Sequence, residues 1–305
     1  PGSLKAINCR KGKQALERFC DQEGVDYEQC GKVIVATSEN ELPAMQKIYE
    51  RGKANNVSCK KIDKIELKGI EPHAAGIAAI HVPEAGIINY KKFCSVLAQK
   101  IEASDGQILT GQKVNFITPS REKVNIETVE GIEIEASKVI NCSGLYSDII
   151  AEKGGSKSEM KIIPFRGEYY ELNDNAQGLV NNLIYPVPDP NFPFLGVHFT
   201  RMIDGGIECG PNAVLAFARE GYKKLKVNPN ELIESLTYPG FIKLASKYWK
   251  TGLGEIWRSF SKKAFVKALS KLVPEIKTEH LKKAPAGVRA QAVSLDGSMV
   301  DDFYF

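Results

Sequence analysis

The sequence lacks several features that define large classes of protein. No C-x-x-C pair occurs, and the seven cysteines are widely spaced and odd in number, so neither a zinc site nor a disulfide framework is expected. No run of about 18 apolar residues occurs, and no transmembrane helix is predicted. Basic residues exceed acidic residues by only 41 − 37 = 4, an excess too small to indicate a nucleic-acid partner.

The composition that remains is typical of a folded protein with free thiols in a reducing compartment. Hydrophobic residues make up 43% and charged residues 26% of the 305 positions, which excludes a disordered, collagen-like or coiled-coil chain. The length corresponds to about two domains at roughly 150 residues each. The chain starts at Pro1 and stops at Phe305 within an apolar-aromatic run, so we expect both ends to be cut from a longer protein.

Hydrophobic periodicity predicts a mixed fold. Helices are predicted over 3–23, 39–55, 90–103, 145–153 and most of 228–274. Short strands are predicted at 32–36, 77–82, 86–88, 107–109, 113–117, 123–129, 132–135, 138–141, 163–172, 183–185, 194–200, 206–209 and 287–293. The fold class is therefore α/β, with α and β elements mixed and a second domain built on an antiparallel sheet.

A turn of small residues at 141–144 is the first candidate site. It follows a predicted strand and precedes a predicted helix, where backbone can approach a ligand closely and a helix N-terminus favours anions. An ordinary loop between strand and helix has the same appearance, and on spacing alone that interpretation is favoured.

Three polar residues on predicted strands are further candidates. Arg289 lies beside small residues and can grip a carboxylate with two parallel hydrogen bonds. His198 alternates with Val197 and Phe199, so it faces the polar side of its strand, where an imidazole can act as a general base. Arg166 has a similar setting. Each also fits a structural role: a surface ion pair for the arginines and a hydrogen-bonded strand residue for His198.

The section 241–283 is rich in lysine. Within 261–276, Phe265, Leu269 and Leu272 fall on one helical face and several lysines fall towards the other. Such a helix can lie on an anionic membrane surface. A solvated helix packed on the core has the same pattern, and we favour that interpretation.

Seven strings of residues share a resemblance that no single motif carries. They are PGSLKA at 1–6, CGKVIVA at 30–36, NCSGLYSD at 141–148, IIPFRGEYYEL at 162–172, IYPVPDPNFPFLGVHFT at 184–200, GPNAVLAFAREGY at 210–222 and PAGVRAQAVSLDGSMVDDF at 285–303. Together they resemble the L-2-hydroxyglutarate dehydrogenase/oxidase family of flavoproteins, within the D-amino-acid-oxidase-like group. The strings are long, ordered and spread over nearly the whole chain.

The resemblance implies a two-domain oxidoreductase. A Rossmann-like domain would bind FAD, and an antiparallel-sheet domain would cover the flavin ring. Such enzymes oxidise (S)-2-hydroxyglutarate to 2-oxoglutarate by hydride transfer to the flavin, and the electrons pass to a quinone or to oxygen. A peripheral membrane contact is also implied, with a cytoplasmic or inner-membrane location, mitochondrial in a eukaryote.

The same resemblance assigns residues to roles. Ser143, Gly144 and Val114 would contact FAD, and Arg289 would grip the substrate carboxylate over the flavin. The candidates for a grip on a second carboxylate are Arg166, Tyr169 and Tyr185, and His198 would act as the base for the substrate hydroxyl.

The implied domains are discontinuous in the chain. The FAD-binding domain would comprise 1–75, 89–160 and 285–305, and the substrate domain 76–88 and 161–284 with a helical section at 228–283.

The family pattern extends beyond the sequence at both ends. It places a Gly-rich phosphate loop, an acidic residue for the ribose and a histidine-containing segment before Pro1, and a Gly-rich segment with a helix after Phe305. Two alternatives stay open on sequence. One is an amino-acid or glycerol-3-phosphate oxidase of the same superfamily, which the GVHFT and PFRGEYY strings disfavour. The other is a non-catalytic fragment that keeps the substrate-domain fold.

Overall fold

The computed structural model describes residues 1–189 and 196–303. Within them there are eight α-helices: α1 (Leu4–Glu23), α2 (Leu42–Ala54), α3 (Lys64–Ile70), α4 (Tyr90–Ala103), α5 (Ser147–Lys153), α6 (Pro229–Thr237), α7 (Pro239–Phe260) and α8 (Lys262–Leu269). The sixteen strands are β1 (Tyr27–Glu28), β2 (Lys32–Ala36), β3 (Lys60–Asp63), β4 (Ala78–Val82), β5 (Ile87–Ile88), β6 (Val114–Pro119), β7 (Val124–Thr128), β8 (Glu133–Ala136), β9 (Met160–Gly167), β10 (Tyr170–Leu172), β11 (Leu183–Pro186), β12 (His198–Arg201), β13 (Ile207–Gly210), β14 (Val214–Leu215), β15 (Leu281–Lys283) and β16 (Gly287–Ser294).

The predicted helices form where the sequence provides signals for their ends. The Ser3 side chain accepts a hydrogen bond from the backbone N–H of Ala6 at the start of α1, and Gly24 ends that helix with φ of 64°. Asp63 and Glu66 form a capping box at the start of α3. Within the part of the chain that the structure describes, no helix is both long and apolar enough to cross a membrane.

An eight-stranded sheet in the order β15-β10-β13-β12-β11-β2-β4-β3 forms the largest layer. The β11–β2 pair is parallel. On one face, Val33, Ile184 and Phe199 pack against Phe265 and Leu269 of α8 in the main core. Because side chains alternate along a strand, the residues between these apolar ones lie on the opposite face. The candidate site lies on that opposite face.

The helix α8 settles the interpretation of the lysine-rich section that contains it. Phe265 and Leu269 are fully buried, and Leu272 just beyond the helix is nearly so. The apolar face of 261–276 therefore packs on the core, as the favoured interpretation predicted.

Three segments cross from the eight-stranded sheet to a three-stranded sheet of order β14-β9-β16. The crossings join β9 to β10, β13 to β14, and β15 to β16. The prediction of one continuous strand over 163–172 is therefore wrong. The chain changes sheets at Glu168 and Tyr169, because β9 pairs with β14 and β16 whereas β10 pairs with β13 and β15.

Two other predicted strands, 107–109 and 138–141, lie in coil. No strand of the described residues pairs with either, and an extended segment without a ladder partner leaves its backbone groups unsatisfied. The side chain of Ile140 is also 86% exposed, so packing of this residue does not hold the segment extended. The predicted strand 194–200 begins outside the described residues, and its described part forms the start of β12.

The eight-stranded sheet also bears on the predicted division into domains. Its strands β2 and β3 come from 1–75, the range assigned to the FAD-binding domain, whereas β10 to β13 come from 161–284. Residues 32–36 and 60–63 thus contribute to the sheet that carries Tyr185 and His198, two of the five predicted substrate and catalytic residues. The division into domains stays a prediction.

Candidate active site

A pocket of about 200 Å³ lies where the three crossings meet. Its walls come from β9 and the turn after it, from the turn between β13 and β14, from the start of β16, and from His198 of β12. The lining residues are Phe165, Gly167, Tyr169, His198, Pro211, Asn212, Ala213, Gly287, Val288 and Arg289. The structure thus brings together three of the predicted site residues, His198, Arg289 and Tyr169.

Two of the crossings approach so closely that a glycine is required between them. A Cβ atom added to Gly167 would lie 2.6 Å from Cβ of Pro211, which is closer than real side chains come. The Arg-Gly-Glu segment of the sequence therefore supplies the contact that closes one side of the pocket.

His198 is held as a neutral imidazole with one nitrogen free for chemistry. Its Nδ1 lies 3.0 Å from the carbonyl oxygen of Gly196. A carbonyl can only accept a hydrogen bond, so Nδ1 carries the proton and Nε2 is the acceptor. Burial lowers the pKa of His198 to about 4, and the positive charges of Lys32 and Arg289 act in the same direction. The imidazole is thus uncharged at neutral pH, with its one ring proton on Nδ1.

Tyr185 supports the imidazole from the neighbouring strand. The two ring centroids are 4.0 Å apart, although Tyr185 is not among the pocket-lining residues. Tyr169 lines the pocket itself. Burial raises the pKa of both phenols, and the charge of Arg289 partly opposes this effect at Tyr169. Both phenols are therefore neutral hydrogen-bonding groups at neutral pH.

Lys32, which was not predicted as a site residue, lies beside Tyr185 and does not line the pocket. Its Nζ lies 4.9 Å from the centroid of the Tyr185 ring, and burial lowers its pKa. The alternation in KVIVA places it on the face opposite Val33, but a lysine at the start of a strand usually reaches solvent. The signal that identifies it is the parallel pairing of β2 with β11, which local patterns do not reveal.

Arg166, in contrast, lies away from the pocket. Phe165 pairs with Arg289 across β9 and β16, while Arg166 pairs with Val288, so Arg166 points to the other face of the three-stranded sheet. Its guanidinium is buried, with Nη2 3.4 Å from Oε1 of Glu168. Alternation along β9 therefore places Arg166 on a different face from Arg289, and its role in binding a second carboxylate stays a prediction.

A second, larger cavity adjoins the pocket at Arg289, which lines both. This cleft of about 720 Å³ has hydroxyl, amide and cationic side chains in its walls. They include Ser147, Ser156, Ser158, Asn141, Gln291, Lys5 and Arg289. Such donors suit the phosphate and ring oxygens of a dinucleotide, and the carboxylates that also line the cleft, Asp148, Asp301 and Asp302, can accept from ribose hydroxyls. The residues present therefore fit a group like FAD.

The turn at 141–144 borders this cleft. Asn141 lines it, donates from Nδ2 to the carbonyl of Ser147 at 2.7 Å and accepts from the backbone N–H of Ser143 at 3.2 Å. Ser143 and Gly144 are exposed beside it, and Gly144 has φ of 53°. Val114 lies on β6, in a separate three-stranded sheet, and is not among the cleft-lining residues.

Comparison with known proteins places the chain among flavoenzymes. Residues 4–303 match the family model described as "DAO: FAD dependent oxidoreductase". An L-2-hydroxyglutarate dehydrogenase from Indibacter alkaliphilus is 52% identical over 305 residues, which cover 99% of this chain and 76% of the relative. The chain belongs to the L-2-hydroxyglutarate dehydrogenase family. It is an FAD-dependent oxidoreductase by that membership.

Other L-2-hydroxyglutarate dehydrogenase family members match over the same extent. The Escherichia coli K12 protein is 42% identical, covering 100% of this chain and 72% of its own length. The human mitochondrial protein is 41% identical, with coverage of 100% and 68%.

Solved structures share the fold at low identity. The L-alpha-glycerophosphate oxidase of Mycoplasma pneumoniae with FAD bound has a TM-score of 0.73 and 19% identity, covering 95% of this chain and 69% of that one. The L-proline dehydrogenase from P. horikoshii has a TM-score of 0.66 and 16% identity, with coverage of 92% and 66%.

Proposed function

We propose that the pocket binds (S)-2-hydroxyglutarate and that the protein oxidises it to 2-oxoglutarate. The observation that carries this proposal is a neutral, buried His198 beside the cationic Arg289, at the boundary between a small pocket and a donor-rich cleft. Oxidation of a hydroxy acid needs three groups placed side by side: a cation for the carboxylate, a base for the hydroxyl and a redox group across the pocket. Relatives named L-2-hydroxyglutarate dehydrogenase support the choice of acid.

The roles of the protein groups follow from their chemistry. Arg289 binds the carboxylate next to the carbinol carbon through its planar guanidinium. Nε2 of His198 accepts the hydroxyl proton as the carbon is oxidised. Tyr169 donates a hydrogen bond to the substrate, and Tyr185 holds the imidazole plane. FAD, when bound, accepts the hydride that leaves the carbinol carbon.

The cleft is the proposed place for the cofactor. The turn with Ser143 and Gly144 offers backbone and hydroxyl donors at its edge, and Ser156, Ser158 and Gln291 line its wall. The contact of Val114 with the adenine stays a prediction.

The test of this function is a spectroscopic titration of the holoenzyme produced from the complete reading frame. We expect (S)-2-hydroxyglutarate to bleach the flavin band under anaerobic conditions, and the (R) enantiomer to leave it unchanged. A protein without flavin would contradict the enzyme interpretation. Bleaching by glycerol-3-phosphate or by an amino acid, but not by the hydroxy acid, would favour the alternative oxidases.

Arg289 provides a second test at the level of one side chain. Arg289→Lys keeps the charge and loses the two parallel N–H donors, so we expect KM for (S)-2-hydroxyglutarate to rise about tenfold or more. Flavin content, measured by absorbance, should change little. An equal loss of substrate and flavin binding would show that Arg289 is structural.

We further propose that helix α7 contacts an anionic membrane and that a quinone there accepts the electrons. Six large apolar side chains of α7 are exposed: Ile242, Trp249, Leu253, Ile256, Trp257 and Phe260. Lys243, Lys247 and Lys250 are exposed on the same helix, whose one acidic residue, Glu255, is buried. Aromatic and basic side chains together favour the headgroup region of a bilayer. The corresponding location is an inner membrane, bacterial or mitochondrial.

Vesicle flotation tests this contact. The holoenzyme should float with vesicles that contain phosphatidylserine and not with neutral vesicles, and Trp249→Ser with Trp257→Ser should abolish flotation. Tyr90→Ser, which removes an exposed aromatic of α4, is the matched control. Full turnover with oxygen in a detergent-free, membrane-free assay would instead favour oxygen as the acceptor.

A further inference from the structure

Lys32 occupies an unusual position for a lysine. It begins β2, is only partly exposed, and lies on the same sheet face as the Tyr185 ring, whose centroid is 4.9 Å from Nζ. Tyr185 in turn stacks at 4.0 Å on His198. Three neighbouring strands, β2, β11 and β12, thus place a cation, a phenol and an imidazole side by side on one face.

No carboxylate in residues 1–189 and 196–303 forms an ion pair with the ammonium group of Lys32. Its described contact is the Tyr185 ring, and Cys9 is the group whose charge opposes the effect of burial on its pKa. Burial of a cation without a counterion is costly. A lysine kept in this state at a ligand site is well suited to an anion that arrives with the ligand.

The row of charges matches the shape of a dicarboxylate. Positive charges from Lys32 and from Arg289 both act on His198, so the imidazole lies within the field of two cations. In 2-hydroxyglutarate, the hydroxyl-bearing carbon lies next to one carboxylate and two methylene groups separate it from the other. His198 lines the pocket with Arg289 and is stacked on the ring that carries Lys32, so it has a cation on each side, as this arrangement requires.

We propose that Lys32 binds the distal carboxylate of the substrate, while Arg289 binds the proximal one. This inference rests on the proposed function and specifies which group selects a dicarboxylate. Tyr185 lies between Lys32 and His198, and its face stabilises the ammonium. Lys32 is a binding residue in this scheme and takes no part in proton transfer.

The test compares two substrates in the holoenzyme. (S)-2-hydroxyglutarate has the distal carboxylate, and (S)-2-hydroxyvalerate has a methyl group in its place. For Lys32→Met, we expect KM for the diacid to rise about 10- to 100-fold, the range of one charge-assisted hydrogen bond. KM for the monoacid, and kcat for both, should stay within about twofold. Lys32→Arg should retain most of the preference for the diacid.

Lys61→Met is the matched control, because it removes an exposed lysine from β3 of the same sheet. Equal changes for both substrates, or no change for either, would overturn the role of Lys32. A wild-type enzyme that does not oxidise the diacid would instead overturn the proposed function.

A measurement on the wild type covers the case in which Lys32→Met fails to fold. Glutarate, but not butyrate, should slow the acetylation of Lys32 by acetic anhydride, followed by peptide mass spectrometry. Equal protection by both acids, or by neither, would contradict the proposal.

Discussion

At the scale of single residues, burial decides the chemistry of His198. Burial of the imidazole and the positive charges of Lys32 and Arg289 favour its neutral form, and the hydrogen bond to Gly196 opposes them in part. At neutral pH the imidazole is already uncharged, so Nε2 can accept a proton directly. The low pKa also makes it a weak base, so the position of the bound hydroxyl against Nε2 must contribute more to the proton transfer.

The depressed pKa of His198 makes a prediction for stability against pH. Because the folded pKa of about 4 lies below the ordinary value of 6.5, the unfolded chain binds the proton first as the pH falls. The stability that the neutral imidazole contributes is fully present above pH 6.5 and is lost as the pH falls towards 4, up to about 3 kcal/mol.

Urea unfolding of the wild type and of His198→Asn at about pH 7 and about pH 5 measures this effect. We expect the free-energy difference between the two proteins to change by about 2 kcal/mol over that interval, against the wild type. A constant difference would show that His198 is solvated.

Some features of the individual residues could be predicted from the sequence, and others could not. Alternation around His198 predicts the face it occupies, and the Gly-Val-Arg segment predicts a cation in the pocket; the structure brings both together. The register of Arg166 on β9, two positions from the change of sheet, could not be predicted from the sequence, and it places Arg166 outside the pocket lining. The position of Lys32 beside Tyr185 could not be predicted either, because it depends on a parallel strand pair.

At the scale of elements, helices were easier to predict than strands. A helix satisfies its own backbone, so caps such as Ser3 and Gly24 define it locally. A strand needs a partner, and the segment 138–141 has apolar residues but no partner strand in the described chain. The division of 163–172 between two sheets likewise depends on pairing with β14, β16, β13 and β15, which are distant in sequence.

Two helices with similar composition should differ sharply in their sensitivity to substitution. Phe265 of α8 is fully buried in the main core, so Phe265→Ala should lower the free energy of unfolding by about 3–5 kcal/mol. Trp257 of α7 is 66% exposed, and Trp257→Ala should change it by about 0.5 kcal/mol or less. Chemical denaturation of both variants measures the difference, and similar losses would contradict the packing described for α8.

At the scale of the whole molecule, one buried ion pair joins distant parts of the chain. Arg219 and Asp148 form two parallel hydrogen bonds of 2.6 and 2.9 Å, and Asp148 also accepts from the backbone N–H of Ile162 at 2.9 Å. The pair thus connects α5, β9 and the segment that precedes α6. Seventy-one positions separate the partners, so no local pattern predicts the contact.

Asp148→Ala should therefore destabilise the protein by about 3–5 kcal/mol, because it removes both short hydrogen bonds of the buried Arg219 guanidinium and leaves only Glu234, whose Oε2 lies 3.6 Å from Nη2. Glu135→Ala is the control. It removes the exposed partner of Lys123 and should cost about 1 kcal/mol or less. Thermal or urea unfolding compares them. A small effect at Asp148 would mean that water reaches Arg219 in solution.

The alternation of β12 has a consequence for how this protein tolerates insertions and deletions. His198 faces the pocket and Phe199 faces the core, one residue apart. Loss or gain of a single residue within the strand would send the aromatic ring into the pocket and the imidazole into the core. Insertions and deletions in this sheet are therefore compatible with both folding and binding only if they fall in its turns. Within a strand they must add or remove two residues at a time.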